Sequence, residues 1–220
     1  MRERPILFNA DMVKAILEGR KTQTRRIIKD VNGLDLLGRV VESTDNKHKD
    51  AIIFGTGTFE NLLDAKIEKY VKIPCFENDV LYVRETWKKY KKMVGQGNDC
   101  YVEEFYGYKA DENNSNNPSE FYDGNWIPSI HMPKEVARIF LKVTSVRVEK
   151  LQDITAHECV LEGIDTGDIL ANAKDNDSSN YARNRFRKAW NKCYNFPKTF
   201  DCNPWVWVIE FERVEREGIK

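Results

Sequence analysis

The chain has 220 residues, 41% of them hydrophobic and 32% charged, which is enough for one sizeable core and too little to demand two independent domains. Its 35 basic and 35 acidic side chains cancel, so the molecule as a whole has no bulk attraction to a long polyanion, and contact with nucleic acid would need a local patch. That balance argues against a non-specific nucleic-acid coat protein. The opening Met1-Arg2-Glu3-Arg4-Pro5-Ile6-Leu7-Phe8 lacks the apolar run of a signal peptide, and no stretch approaches the roughly 20 apolar residues that cross a bilayer. A soluble protein of the cytoplasm, with no membrane contact, is expected. Cys75, Cys100, Cys159, Cys193 and Cys202 are odd in number and form no Cys-x-x-Cys pair, while His48, His131 and His157 complete no zinc spacing. Reduced thiols and no metal site follow as expectations.

In chain order, Asn9 is predicted to cap a short helix whose Met12, Val13, Ile16 and Leu17 recur at helical spacing, with Gly19 as its left-handed stop. Next comes Gly19-Arg20-Lys21-Thr22-Gln23-Thr24-Arg25-Arg26, and a strand is predicted to begin over 26–29. Lys21 and Thr24 therefore lie in a helix-to-strand turn anchored at both ends, the kind of place where a rigid backbone aims side chains. Polar, turn-rich stretches at 43–50, 111–119 and 171–180 read as loops or insertion tips. Strands are predicted over 80–87, 101–109, 138–148 and 205–211, with Gly95-Gln96-Gly97 as a hairpin turn. A helix from about Thr155 to Glu162 sets Glu158 and Glu162 on one face. The clearest helix covers 181–193, where Ala182, Phe186, Ala189, Trp190 and Cys193 form the face that should pack on the strands. The last strand is apolar on both sides in its early part, so Trp205 and Trp207 read as core.

A threonine hydroxyl attacks a carbonyl only when a base takes its proton, and a lysine can be that base if burial or adjacent cations depress its pKa. Lys21 and Thr24, flanked by Arg20, Arg25 and Arg26, form such a pair for attack on an amide or ester. The same cations also have an ordinary reading, as charges that complement a helix C-terminus and solvate the surface. Two carboxylates are candidates for the proton shuttle. Glu162 ends its helix one turn after Glu158, and Glu85 continues the face of Leu81 and Val83. Each has an alternative role, Glu162 as a solvated helix end and Glu85 as a partner of Arg26 or Arg84. Trp87, Tyr106, Tyr108 and Trp126 offer rings for stacking on a base, or core packing; Lys88-Lys89-Tyr90-Lys91-Lys92 is a compact basic run, a phosphate contact or a solvated loop.

The pattern Gly19-x-Lys21-x-x-Thr24-x-Arg26 between a helix and a strand resembles the signature turn of ASCH domains, members of the PUA-like barrel superfamily. Further stretches resemble the longer ASCH proteins of bacteriophages and prophages: Arg4 to Phe8, Asp79 to Trp87, His131-Met132-Pro133, Leu151 to Thr155, Glu162-Gly163-Ile164 and Asn203 to Val208. The resemblance implies one domain over 1–220, an α+β fold with a mixed PUA-like β-barrel, flanking helices and insertions at about 30–74 and 88–126. One branch of the family comprises N4-acetylcytidine amidohydrolases. For this chain it implies Lys21 as base, Thr24 as nucleophile and Glu162 as proton shuttle with no cofactor, and the residues themselves add Arg26, Glu85, Trp87 and Arg20 as groups against the substrate. The implied partner is a modified nucleoside or RNA, in the cytoplasm of a bacterial host if a phage encodes the chain. The alternatives within the resemblance are a module that binds RNA or a modified base without catalysis, and an ASCH-type ribonuclease.

Overall fold

The computed structural model describes residues 1–41, 45, 48–57, 65–112, 125–167 and 176–215, so the expected loops at 43–50, 111–119 and 171–180 lie partly outside the described residues. The fold is α+β, with strands in several sheets and few helices. β1 (Glu3–Leu7), β2 (Gln23–Ile27), β6 (Val80–Arg84), β9 (Phe140–Lys150) and β10 (Trp205–Val214) form one sheet in the order β1-β6-β9-β10-β2. β1 runs parallel to β6, and the other neighbours are antiparallel. β3 (Asp35–Arg39), β4 (Ala51–Thr56) and β5 (Lys66–Lys72) make a second sheet, and β7 (Trp87–Val94) with β8 (Tyr101–Tyr108) makes a ribbon. The helices are α1 (Ala10–Leu17), α2 (Ala156–Leu161) and α3 (Asn176–Cys193). No helix among the described residues is long and apolar enough to cross a membrane.

The expected barrel is not closed. Among the described residues β1 and β2 end the main sheet without pairing to each other. Pro5 at the middle of β1 carries no N–H, a loss that an edge strand tolerates and a central strand does not. A side chain spans the gap instead: Arg26 donates to the Leu7 carbonyl at 2.7 Å and lies 5.1 Å over the Phe8 ring.

The main core gathers Phe8, Val13, Ile16, Val83, Leu141 and Trp207 from the large sheet and α1, and Ile52 and Phe54 from β4 belong to it. Residues 30–74, expected as an insertion, thus supply core side chains; Phe54 meets the Trp205 ring edge-on at 5.8 Å. A second cluster binds α2 and α3 to the outer face of β10 through Leu151, Ile154, Phe186, Trp190, Val206 and Val208. The strand expected over 80–87 is broken at Glu85 and Thr86, where the chain leaves the main sheet for the ribbon. The Lys88 to Lys92 run is strand β7 and not a loop: Lys88 is buried and lies 4.5 Å over the Trp126 ring, and Lys89 pairs with Glu104.

Candidate functional site

α1 starts where the Asn9 side chain accepts the Met12 N–H at 2.9 Å, and it ends at Gly19, whose φ of +75° suits a residue without a Cβ. The chain then turns back along its own helix. The Arg20 and Lys21 N–H groups both donate to the Ala15 carbonyl, and Thr22 N–H donates to the Leu161 carbonyl at the end of α2. Lys21 and Glu162 form an isolated antiparallel bridge, so the turn after α1 and the end of α2 are locked side by side before β2 begins. α2 carries a reciprocal cap in which Thr155 and Glu158 satisfy each other's backbone N–H groups.

Around that bridge the side chains build an ionic cluster that is buried at its centre and partly exposed at Arg147. The Lys21 side chain is fully buried and that of Glu162 only 6% exposed. Lys21 Nζ donates to the Gln23 carbonyl at 2.7 Å, the Glu162 carbonyl at 2.7 Å and Glu162 Oε2 at 3.1 Å. Arg25, also fully buried, reaches Glu162 Oε1 at 3.1 Å, Glu149 Oε2 at 3.0 Å and Glu158 Oε1 at 3.2 Å. Arg147 closes the outer side, bound to Glu158 at 2.7 Å and to Glu149 and Glu210 at closer range. Glu162 is therefore held at both carboxylate oxygens, by a lysine on one and an arginine on the other. Burial pushes the Lys21 ammonium below its ordinary value, Glu162 opposes that fall, and Arg26 and Arg25 reinforce it.

Thr24, Arg25, Arg26 and Glu162 line one side of a cavity of about 310 Å³, and α3 covers the other side. Thr24 is 1% exposed, and among the described residues no hydrogen bond engages its hydroxyl. Lys21 lies behind this wall, against Glu162, and no hydrogen bond joins it to Thr24. The covering side includes Phe186 and Trp190 of α3 and Tyr194 just beyond its end, with the Trp190 and Tyr194 centroids separated by 4.5 Å. A volume near the lower end of the roughly 300–1,000 Å³ usual for ligand sites, an aromatic wall and a few convergent polar groups are the marks of a small-molecule pocket.

Of the residues singled out from the sequence, Thr24, Glu162 and Arg26 line this pocket, and Lys21 lies behind its wall against Glu162. Glu85, Trp87 and Arg20 do not line it. Glu85 is buried and gripped by Arg138 at 2.9 and 3.1 Å, not by Arg26 or Arg84, and Arg138 also holds Asp111 and lies 3.9 Å over the Tyr108 ring. Burial pushes the Glu85 carboxyl above its ordinary value while Arg138 pulls it back. This group fastens the ribbon to the main sheet. Trp87 sits at the same junction, 5.8 Å from Tyr106 and bridged to Ile127, and Trp126 stacks under Lys88. Arg20 pairs with Glu18 at the surface and donates to the Gly163 carbonyl at 3.2 Å. No described residue of either region expected as an insertion lines the pocket.

Sequence reasoning missed three features. The pocket rings are aromatics at positions 186, 190 and 194, a spacing of four; Phe186 and Trp190 were expected only to pack on the strands, and Tyr194 was not singled out. Arg25 was counted as a nearby cation and is instead the centre of the cluster. Gln23 is 1% exposed, and neither polar atom of its side-chain amide has a partner among the described residues; Arg25 Nε is likewise unpaired. Such atoms cost about 1–3 kcal/mol each, and here they stand beside the Lys21–Glu162 pair. Among the described residues no group of His, Cys, Asp and Glu could hold a metal ion. Compared with protein-family models, curated proteins and solved structures, the chain matches none.

Proposed function

We propose that the chain is an ASCH-type, PUA-like amidohydrolase acting on an acylated cytidine-like nucleoside. The observation that carries the reading is the Glu162 carboxylate, shared between Lys21 and Arg25 in the wall of a pocket that also presents Thr24. In this scheme a proton passes from Lys21 Nζ to Glu162, giving a neutral amine and a neutral acid, and the burial that lowers the Lys21 pKa eases its loss from nitrogen. The amine then takes the Thr24 proton as Oγ1 attacks the acyl carbonyl. Glu162 gives its proton to the amino nitrogen of the base as the carbon–nitrogen bond breaks. Water hydrolyses the resulting threonine ester, and the acid product and the starting protonation states are restored. Arg26 stands at the pocket edge to support charge developing on the carbonyl oxygen, while the α3 rings stack on the base, a contact worth about 1–3 kcal/mol. The scheme requires Lys21 to release one of its three acceptors when substrate enters, since at rest it does not reach Thr24.

That full occupation of the Lys21 donors is also what favours a second reading, a module that binds a modified base without cleaving it. One experiment separates the two. Purified protein is incubated with N4-acetylcytidine and related acylated nucleosides, and products are read by mass spectrometry beside Thr24→Val and Thr24→Ser, with circular dichroism as the folding control. Turnover that falls by a factor of roughly 100 or more in Thr24→Val and partly returns in Thr24→Ser supports the amidohydrolase. Full turnover in Thr24→Val removes threonine from the mechanism; binding without turnover in the wild type selects the binding module.

A further inference from the structure

A second cavity, of about 680 Å³, runs along the seam between the unpaired edges of β1 and β2. Arg4, Arg26, Lys29, Arg84 and Lys198 line it, and among the described residues no Asp or Glu does. In a chain whose charges sum to zero, that is a strong local excess of one sign. These cations are also poorly engaged. Arg26 donates to the Leu7 carbonyl and Arg84 to the Met132 carbonyl, neutral partners that orient the guanidinium groups without cancelling their charge. Arg4 makes a long ion pair with Asp79, Nε to Oδ2 at 3.9 Å, and that buried Nε has no hydrogen-bond partner among the described residues. Lys29 and Lys198 make no ion pair with a described residue. The floor between them is apolar, with Ile6, Leu81 and Ile209, and low-dielectric walls concentrate the field of the cations above.

Position gives this groove its meaning. Arg26 and Tyr194 line both this cavity and the α3-covered pocket, so the groove starts where the pocket ends. We propose that the groove holds phosphate, and that the molecule bound across both cavities is therefore a phosphate-bearing acylated pyrimidine in preference to the bare nucleoside. This rests on reading the neighbouring pocket as the base site. Planar guanidinium forks match phosphate oxygens two at a time, and the lysines add mobile charge at the rim.

The test compares kcat/KM for N4-acetylcytidine, its 5′-monophosphate and a short oligoribonucleotide containing the same base, for wild type and Lys29→Gln/Lys198→Gln. Both lysines are exposed and stand outside the reacting groups, so the double variant should fold and turn over the nucleoside as wild type does. Phosphate-bearing substrates should be favoured about tenfold or more, as expected for one charge-assisted contact, and the advantage should shrink with added salt. The variant should lose about two-thirds or more of that advantage. The better of the two phosphate arms tells whether free nucleotide or chain is the source. Equal kcat/KM for nucleoside and nucleotide, or an advantage untouched in the variant, overturns the groove and leaves the amidohydrolase reading standing. If no arm turns over, that reading fails on its own, and calorimetric binding of cytidine 5′-monophosphate against cytidine decides the groove. Tighter binding of the monophosphate, lost in the variant, upholds it, and equal affinities overturn it.

Discussion

At the scale of single residues, the carboxylate that matters most to the site is Glu162. Glu162 accepts from Lys21 and Arg25 with both oxygens inside the protein, where an ion stripped of its partner costs far more than it does in water. The two ends of the interaction are not equivalent. Lys21→Met leaves Glu162 still paired with Arg25 and should cost about 1–2 kcal/mol. Glu162→Gln takes from the buried Lys21 the one carboxylate it pairs with among the described residues, while Arg25 keeps Glu149 and Glu158, and should cost about 3 kcal/mol or more. The double variant removes the stranded charge along with its partner, so its loss should fall short of the sum by about 1–3 kcal/mol. Urea unfolding of the four proteins measures this, and strictly additive losses would show that the pair is not coupled as its 3.1 Å separation requires.

At the scale of elements, the site depends on how the end of α2 fits the start of β2. Gly163, with φ of +89°, is the contact point: a Cβ there would fall 2.8 Å from the Ala15 Cβ and 3.1 Å from the Lys21 Cβ. Neither neighbour is the free end of a flexible chain, so the backbone must give way. Gly163→Ala should therefore lower stability by about 1–3 kcal/mol and loosen the Lys21–Glu162 bridge. Thermal unfolding reads the first effect, and amide hydrogen exchange at Thr22, whose N–H bonds Leu161, reads the second. Unchanged stability would mean that α1 and α2 are free to separate there. Much of this level was legible in advance. Helical spacing and Asn9 marked α1, and the Thr155 start with the step to Glu162 marked α2, because caps and periodicity are local properties of adjacent residues. The face of α3 was legible too, but its function as a pocket cover was not, since an aromatic stripe looks the same whether it meets core or ligand.

At the scale of the whole molecule, the two regions expected as insertions behave differently. The sheet of β3, β4 and β5 is built into the core through Ala51, Ile52 and Phe54. The ribbon of β7 and β8 leaves the body at Trp87 and Tyr108, and its far end exposes Met93, Tyr101 and Val102. Cutting the ribbon back to its base, with residues 92–103 replaced by a two-residue Asn-Gly turn that joins the paired Lys91 and Glu104, should shift the melting temperature by only a few degrees, since about 1 kcal/mol or less is lost with it. Replacing Phe54 by Ala in the other region should cost about 3–5 kcal/mol. A ribbon deletion that unfolds the protein would show that the core extends along it.

What the sequence by itself determined is what depends on near neighbours: the strand-rich α+β character, α1 with its cap and stop, and the hairpin turn at Gly95; the strand expected over 26–29 begins earlier, at Gln23, so that Thr24 and Arg26 lie in β2 and only Lys21 stays in the turn. Which carboxylate meets Lys21 was decided only in three dimensions. Glu162 and Glu85 were equal candidates by spacing, but β6 gives way at Glu85, where Arg138 takes its charge, while the Lys21–Glu162 bridge brings the other carboxylate to the turn. The open sheet, the α3 cover and the cationic seam are of the same kind. They arise from contacts between residues as far apart as Arg25 and Glu162, and no local pattern in the chain encodes such a meeting, because burial and charge pairing are settled jointly by the packed whole.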